Sequence, residues 1–456
     1  MTTIKLDPGA ALLLDALHGA GHAAYAVGGC VRDSLLGLDP HDWDLCTSAR
    51  PEQVMALFGE EKCIPTGLQH GTVTVKQGGR LYETTTFRTE GAYSDGRHPD
   101  AVCFVPDVRE DLARRDFTIN AMAYSAEEGL IDPFGGRDDL AAHLVRAVGE
   151  PERRFEEDAL RILRLYRFAA RFGFAIDPAT GAAARALGPH LDCVSAERIQ
   201  EELLKLLAAP RPGSYLEPAV LAVVLPELEP EKQPERFAEL CRTIDRIEPT
   251  AENVPARLAT LLCPLGEAGA RKALRKLKCS NALTDEVTAL VGGSVGSFLL
   301  PRSRDRRAGS SSEDRPLGWD PAAAGSRAGD GMARFASEEE APGTPGSDQT
   351  LMAKRLLGRY ELPTIQRLTA LCSARHPEQA EAFAALRAEA EQLTAENACC
   401  RVSQLAVNGR DLMAAGVRPG PGLRQVLNAL LEAVITGQTP NEKDALLAAA
   451  AQFSAS

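Results

Sequence analysis

From Tyr25 to Tyr124 the pattern of apolar and polar residues mixes short strands and helices, and after about Leu140 strand signals stop and helical spacing takes over. AAYAVGG reads as a strand closed by a tight turn, and VRDSLLG as one or two helical turns. Asp42 to Cys46 reads as a short strand. Pro51 and Glu52 open a helix through Phe58, since proline suits a first turn. GTVTVKQGGRLYETTTFR carries the clearest β pattern: two β-branched runs joined at Gly78-Gly79, which predicts a hairpin. Ala92 to Val108 is polar with Gly, Asp and Pro and reads as a loop. Arg153 to Phe174 reads as one long helical stretch. SAERIQEELLKLLAA follows, with Ile199, Leu203, Leu206 and Leu207 at helical spacing and Ser195 as its cap. Helices with short breaks continue over 215–300 and resume from Leu351 to the end. Residues 301–350 carry Gly, Ser, Pro, Ala and charge with almost nothing to bury, which predicts a disordered insertion or linker.

Composition narrows the class. Hydrophobic residues make up 44% and charged residues 25%, so collagen-like, disordered and mainly membrane proteins are excluded. A chain of 456 residues suggests roughly three domains. No apolar run reaches the roughly 18 residues of a spanning helix. The first residues, MTTIKLDPGAALLLDALHGAG, are not a basic-then-apolar leader, and the expectation is a cytoplasmic protein. The 11 cysteines are scattered with no C-x-x-C pair and read as reduced thiols. A net charge of -12 argues against a basic coat, but a local arginine row can still bind phosphates.

Three constellations carry chemistry. In the first, Gly28-Gly29-Cys30-Val31-Arg32-Asp33 precedes Asp42-Trp43-Asp44. Alternate residues of a strand share a face, so Asp42 and Asp44 stand side by side. Like charges that close need a cation between them, and Mg²⁺ takes carboxylates together with phosphate oxygens. The glycine pair lets backbone N–H groups approach a phosphate, and Arg32 adds a forked donor. Either motif alone also fits a turn or two solvated acids; together they point to a nucleotide site. Glu83, in LYETTTFR, is the candidate third carboxylate. The second constellation is Arg114-Arg115-Asp116-Phe117-Thr118-Ile119-Asn120-Ala121-Met122-Ala123, where two arginines could grip a triphosphate or a ribose, or start a helix in solvent. The third is Glu157-Asp158-Ala159-Leu160-Arg161, continuing to Arg164, Arg167 and Arg171. So many apolar residues lie between these arginines that the helix must be largely buried, and its charges need a wet anion-holding cleft or acidic partners such as Glu156 and Glu157.

In this order and spacing, G-G-x-V-R-D, D-x-D, R-R-D-F-T-I-N-A-M-A, E-D-x-x-R and A-E-R-I-Q-E-E-L resemble the bacterial class II tRNA nucleotidyltransferase / poly(A) polymerase family over about residues 20–210, including D-P-F-G-G-R-D-D-L from Asp132 to Leu140. The resemblance is to its CCA-adding members. It implies an α/β nucleotidyltransferase head with a small mixed sheet, followed by all-α neck, body and tail. The boundaries would be 1–145 for the head, 146–210 for a neck reading the base, 211–300 for the body, 301–350 for the linker and 351–456 for a tail binding tRNA. It implies Mg²⁺ on Asp42 and Asp44, with Glu83 beside them. Gly28, Gly29, Arg32, Arg115 and Asn120 would hold the nucleotide, Asp158 and Arg161 would read its base, and Arg164 and Arg167 would extend the row towards phosphates.

The implied substrates are CTP, ATP and the tRNA acceptor arm. Cytosine and adenine both place an exocyclic amine beside an unprotonated ring nitrogen, which suits a carboxylate and a guanidinium; uracil and guanine do not. Poly(A) polymerase activity, partial CC or A addition, and a catalytically inactive RNA-binding protein are the alternatives. Relatives often carry a His-Asp pair in the body; here Cys263-Pro264 stand in the corresponding RLATLLCPLGEAG segment, against an attached phosphohydrolase activity. In the tail, Lys354, Arg355, Arg359, Arg401, Arg410, Arg418 and Arg424 are candidates for gripping the tRNA or simply scattered surface charge.

Overall fold

The computed structural model describes residues 3–90, 102–295 and 345–453. It divides into two compact units, residues 1–296 and 297–456.

In the first unit the strands are β1 (Ala24–Val27), β2 (Leu45–Thr47), β3 (Cys63–Gly67), β4 (Thr72–Gln77), β5 (Arg80–Thr86), β6 (Arg88–Glu90), β7 (Val102–Phe104), β8 (Ala123–Ser125) and β9 (Gly129–Ile131). Seven of them form one sheet in the order β3-β4-β5-β2-β1-β8-β9. Only β2 and β5 run parallel, so the sheet is mixed, as expected. Leu45 pairs with Thr84, which sets Asp44 level with Glu83 on the neighbouring strand. The β4–β5 hairpin turns at Gly78 and Gly79, with φ of 57° and 80°, the left-handed pair that a two-residue hairpin turn requires. Tyr25, Val27, Cys46, Phe87, Leu112 and Ile131 fill the core beneath the sheet.

The helices are α1 (Pro8–Gly19), α2 (Gly29–Leu35), α3 (Pro51–Phe58), α4 (Val108–Ala113), α5 (Gly136–Ala141), α6 (Pro151–Glu157), α7 (Leu160–Phe172), α8 (Pro178–Ala186) and α9 (Ala196–Leu207). α7 packs on α9. Ile199, Leu203, Leu206 and Leu207 are all buried, as their spacing predicts. Ser195 stands at the N-cap position of α9, but its hydroxyl makes no cap bond. Further helices run from Pro218 to Val295.

Several expectations are corrected. The Asp42–Cys46 strand begins only at Leu45; Asp42 to Asp44 lead into it, with Trp43 buried between two exposed acids. The helical stretch from Arg153 to Phe174 is broken at Asp158, whose φ is -148°. The Asp158 carboxylate accepts from the Leu160 backbone N–H at 3.1 Å and so starts a new helix in place of continuing the old one. Asp158 and Arg161 therefore do not lie one turn apart on a single helix. Part of the Ala92–Val108 loop is ordered: β7 pairs antiparallel with β6, and α4 begins at Val108. Residues 91–101 of that loop lie outside the described residues. Two short parallel strands, Leu144–Val145 and Ala175–Ile176, follow Leu140, too brief to leave an alternation in the sequence. Of the expected linker, residues 301–344 lie outside the described residues; the helix of the second unit starts at Pro345, ahead of Leu351.

That second unit is helical, and Leu405, Val407, Leu412, Val426, Leu430 and Leu446 form its core. Arg401 is committed inside it, to the Leu357 and Tyr360 carbonyls at 2.9 and 3.0 Å and to Glu361 at 2.6 Å. Arg355 pairs with Glu432.

Arg257 shows how the first unit fixes its helices. It is 0% exposed. Its guanidinium donates to the carbonyls of Leu207, the last residue of α9, and Ala209, just beyond it, at 2.7 and 2.6 Å, and to that of Ile247. A cation at a helix C-terminus also meets the negative end of the helix dipole. Arg257→Met keeps the volume and orphans those carbonyls. It should lower unfolding stability by about 3 kcal/mol, read from urea denaturation followed by circular dichroism.

Candidate active site

β1 delivers the chain into Gly28, whose φ is 78°. Its N–H donates to the Met122 carbonyl at 3.1 Å. The positive φ favours glycine, and a Cβ here would stand 2.7 Å from Nη1 of Arg115 and push that guanidinium aside. Asp44 is tied to the same turn through its backbone. Its carbonyl accepts from the Val27 N–H at 2.9 Å and lies 3.8 Å from the Cys30 thiol. The glycine turn, Arg115 and Asp44 thus meet at one place.

Solvent reaches Asp44, yet protein crowds it. Burial, then the charge of Glu83, push its pKa up to about 6; Arg115 opposes the rise and Asp42 adds to it. The three acids are close enough for Asp44 to feel both others. Among the described residues, however, no group of three or more His, Cys, Asp and Glu side chains converges as a ready metal cage. A pair of carboxylates short of positive charge, open to solvent beside a phosphate-sized turn, fits Mg²⁺. That ion binds through one or two carboxylates and completes its shell with water and substrate phosphates.

Arg32 and Asn120 are placed together, but turned inward. Arg32 is 4% exposed. It donates to Asp33 at 2.8 Å and to Asn120 Oδ1, and its guanidinium carbon lies 5.3 and 4.8 Å from the ring centres of Phe168 and Phe172. Asn120 in turn donates to Asp116 at 3.1 Å. Asp116 accepts from Arg164 at 2.6 and 2.9 Å. Arg167 pairs with Glu202 of α9 at 2.6 Å, and Arg171 with Asp33 at 3.2 Å. The arginine row of α7 therefore faces acids from α2, from the segment that follows α4 and from α9, in place of an open anion cleft. Burial alone would raise the Asp116 pKa; Arg164, then the Asn120 bond, more than reverse this and bring it down to about 2.

Asp158 and Arg161 stand at the α6–α7 junction with separate partners. Asp158 receives Arg198 Nη2 at 2.8 Å. Arg161 donates to Glu157 at 2.8 Å and to the Arg154 and Arg114 carbonyls at 3.2 and 3.0 Å. Asp116, Arg198 and Glu202 were not singled out in the sequence, although each lies inside a quoted motif. Asp111, buried beside both Arg114 and Arg115, left no signal beyond its charge.

A mixed sheet with a glycine turn and paired acids at one strand, followed by packed helices, defines the nucleotidyltransferase class. The comparisons agree. Residues 24–146 match the poly A polymerase head domain, 173–232 a probable RNA- and SrmB-binding site of polymerase A, and 357–450 a putative tRNA nucleotidyltransferase domain 2. The CCA-adding enzyme of Limosilactobacillus fermentum is 34% identical, covering 97% of this chain and 96% of its own. That of Lacticaseibacillus paracasei is 36% identical, covering 97% and 95%. The crystal structure of the Bacillus stearothermophilus CCA-adding enzyme in complex with CTP is 32% identical, covers 98% of both chains and superposes with a TM-score of 0.73. The chain belongs to the family of CCA-adding enzymes, the tRNA nucleotidyltransferases. Enzymes of this family generally depend on a divalent metal.

The raised Asp44 pKa sets a pH dependence. The folded value, about 6, exceeds the ordinary aspartate value of 3.8, so the folded state binds the proton more tightly. Ionising Asp44 then destabilises the fold, and this loss develops as pH rises from about 4 to 6. Without divalent ions, Asp44→Asn should melt higher than the parent at pH 7.5 and level with it near pH 4, by differential scanning calorimetry.

Proposed function

We propose that this chain adds C, C and A to the 3′ end of tRNA from CTP and ATP, without a nucleic-acid template and with release of pyrophosphate. The observation that carries this is the meeting of Asp42, Asp44, Glu83 and Arg115 at the Gly28–Gly29 turn. Support also comes from relatives that carry this activity in their names and from the CTP complex of a relative matched over its whole length.

Asp42 and Asp44 would hold Mg²⁺, with Glu83 reinforcing the negative field. The bound ion supplies Lewis-acid stabilisation of charge at the α-phosphate and lowers the pKa of the primer hydroxyl. The Gly28–Gly29 backbone and Arg115 bind and orient the triphosphate. Arg32 and Asn120 hold the glycine turn from behind, through Asp33 and Asp116. Asp158 accepts from the exocyclic amine of cytosine or adenine, and Arg161 donates to the ring nitrogen. A mismatched base sets an acceptor against the Asp158 carboxylate and a donor against the Arg161 guanidinium, at about 1–3 kcal/mol for each lost contact. Arg164 and Arg167 fix the reading helix against Asp116 and Glu202. The helical second unit would take the tRNA body, and the enzyme would work in the cytoplasm; no helix among the described residues is long and apolar enough to cross a membrane.

The test is product length on a sequencing gel. The substrate is tRNA ending at the discriminator base, incubated with Mg²⁺ and CTP, ATP or both. The expected products are two added residues with CTP alone and three with both. A long tail from ATP alone would make the chain a poly(A) polymerase; a halt after two residues with both nucleotides, or addition of A only to a CC end, would make it a partial enzyme. Asp42→Ala and Asp44→Ala should each cut incorporation by on the order of 10³-fold with circular dichroism unchanged; full activity of the double variant would remove the assignment.

A further inference from the structure

Asp111 is 1% exposed, in the first turn of α4 and just ahead of the two arginines. A buried carboxylate is costly unless its charge is matched and its lone pairs are filled. Its two oxygens are used differently. Oδ1 accepts from Arg114 Nε at 3.0 Å and from the Arg88 backbone N–H, at the start of β6, at 3.3 Å. Oδ2 lies 3.5 Å from Nη2 of Arg115 and makes no hydrogen bond. Nε of Arg115 makes none either. Arg115 is thus steered by charge without being saturated. Its other nitrogen, Nη1, occupies the space that a side chain on Gly28 would need, and with 22% of its side chain exposed it can be reached from solvent. Arg115 thus keeps N–H donors that no protein acceptor takes, with Nη1 against the glycine turn.

We propose that Asp111 is a positioning residue for nucleotide binding: from beneath, its Oδ2 aims the Arg115 guanidinium at the Gly28–Gly29 turn and leaves the donors of that group for phosphate oxygens. The inference rests on the reading of Arg115 as a phosphate ligand. The interaction is made with the triphosphate in ground state and transition state alike, so its loss appears in KM and not in kcat. Pyrophosphate, which presents the same oxygens, is affected equally.

Asp111→Asn separates the two oxygens. The amide oxygen can keep the Oδ1 partners, Arg114 and the Arg88 N–H, while its NH₂ turns towards Arg115, removing the attraction and adding a donor facing a donor. Steady-state kinetics on tRNA lacking its end should show KM for CTP and for ATP raised by about tenfold, the inhibition constant of pyrophosphate raised by a similar factor, and kcat within about twofold of the parent. Arg115→Met should raise KM at least as far, and the double variant should be no worse than Arg115→Met alone, because Asp111 acts through Arg115. A KM unchanged in Asp111→Asn but raised in Arg115→Met would overturn the positioning role and leave the Arg115 reading standing. A KM unchanged in Arg115→Met would remove that reading itself. Additive effects in the double variant would also overturn the proposal. If Asp111→Asn does not fold, Asp111→Glu keeps the charge and moves it by one methylene: raised KM at constant kcat supports the role, and lowered kcat at constant KM overturns it.

Discussion

Carboxylates that repel one another at the mouth of the sheet set the terms for the rest of the head. Asp44 is crowded by protein, by Glu83 and by Asp42, and Arg115 is the cation that opposes them among the described residues. Its backbone keeps it beside them: its carbonyl is bonded to Val27 of β1 and lies against Cys30 of α2, while β2 is paired on both sides. The fold thus stores an unfavourable charge arrangement and meets its cost with the apolar core below. The arrangement becomes favourable when a divalent cation is added, which is the property a metal-dependent transferase needs.

Charges in the frame follow the opposite rule. From Arg171 through Asp33, Arg32, Asn120, Asp116 and Arg164, each group is bonded to a neighbour of complementary character. Phe168 and Phe172 give the guanidiniums flat faces to lie on, with Arg167 only 4.1 Å above the first ring. Since the Asp116 pKa is depressed to about 2 from 3.8, its contribution to stability is present above about pH 4 and lost as pH falls towards 2. Over the neutral range the frame keeps its charge while Asp44 is the group poised to change. One set of acids is bonded within the frame; the other is left short of partners.

What the sequence disclosed follows the range of each interaction. The hairpin at Gly78-Gly79, the turn at Gly28 and the buried face of α9 depend on residues close along the chain, and alternation or helical spacing reveals them. The break at Asp158 depends on one side chain capturing one backbone N–H, and helical periodicity carries through it without a mark. The β6–β7 pairing and the short parallel strands are made by segments too brief to show a period. Within the site, the acid pair and the arginine pair were legible as charge at telling spacing. The partners that decide what each arginine does were not, because Asp116 reaches Arg164, and Glu202 reaches Arg167, only after the chain has folded back on itself. Reading Arg32 and Arg164 as open phosphate donors follows from charge alone; the acids that close them are a tertiary fact.

That distinction bears on how a base could be read without a template strand. Asp158 accepts from Leu160 N–H on one oxygen and from Arg198 on the other, which fixes the plane of its carboxylate. An ionised carboxylate has about four acceptor positions, so room is left for an exocyclic amine. Arg161 spends its Nη1 on Glu157 and the Arg154 carbonyl, and part of Nη2 on the Arg114 carbonyl. A guanidinium has five N–H donors, which leaves Nε–H and one Nη2 hydrogen for a ring nitrogen. Both side chains are therefore held by the protein before any nucleotide arrives, and each keeps capacity for one. A nucleic-acid template presents base edges at fixed positions because its backbone and stacking hold them there. On the proposed reading, the junction of α6 and α7, braced by Arg198 and Glu157, would do the same with an amino-acid pair, and selectivity would then need no second strand.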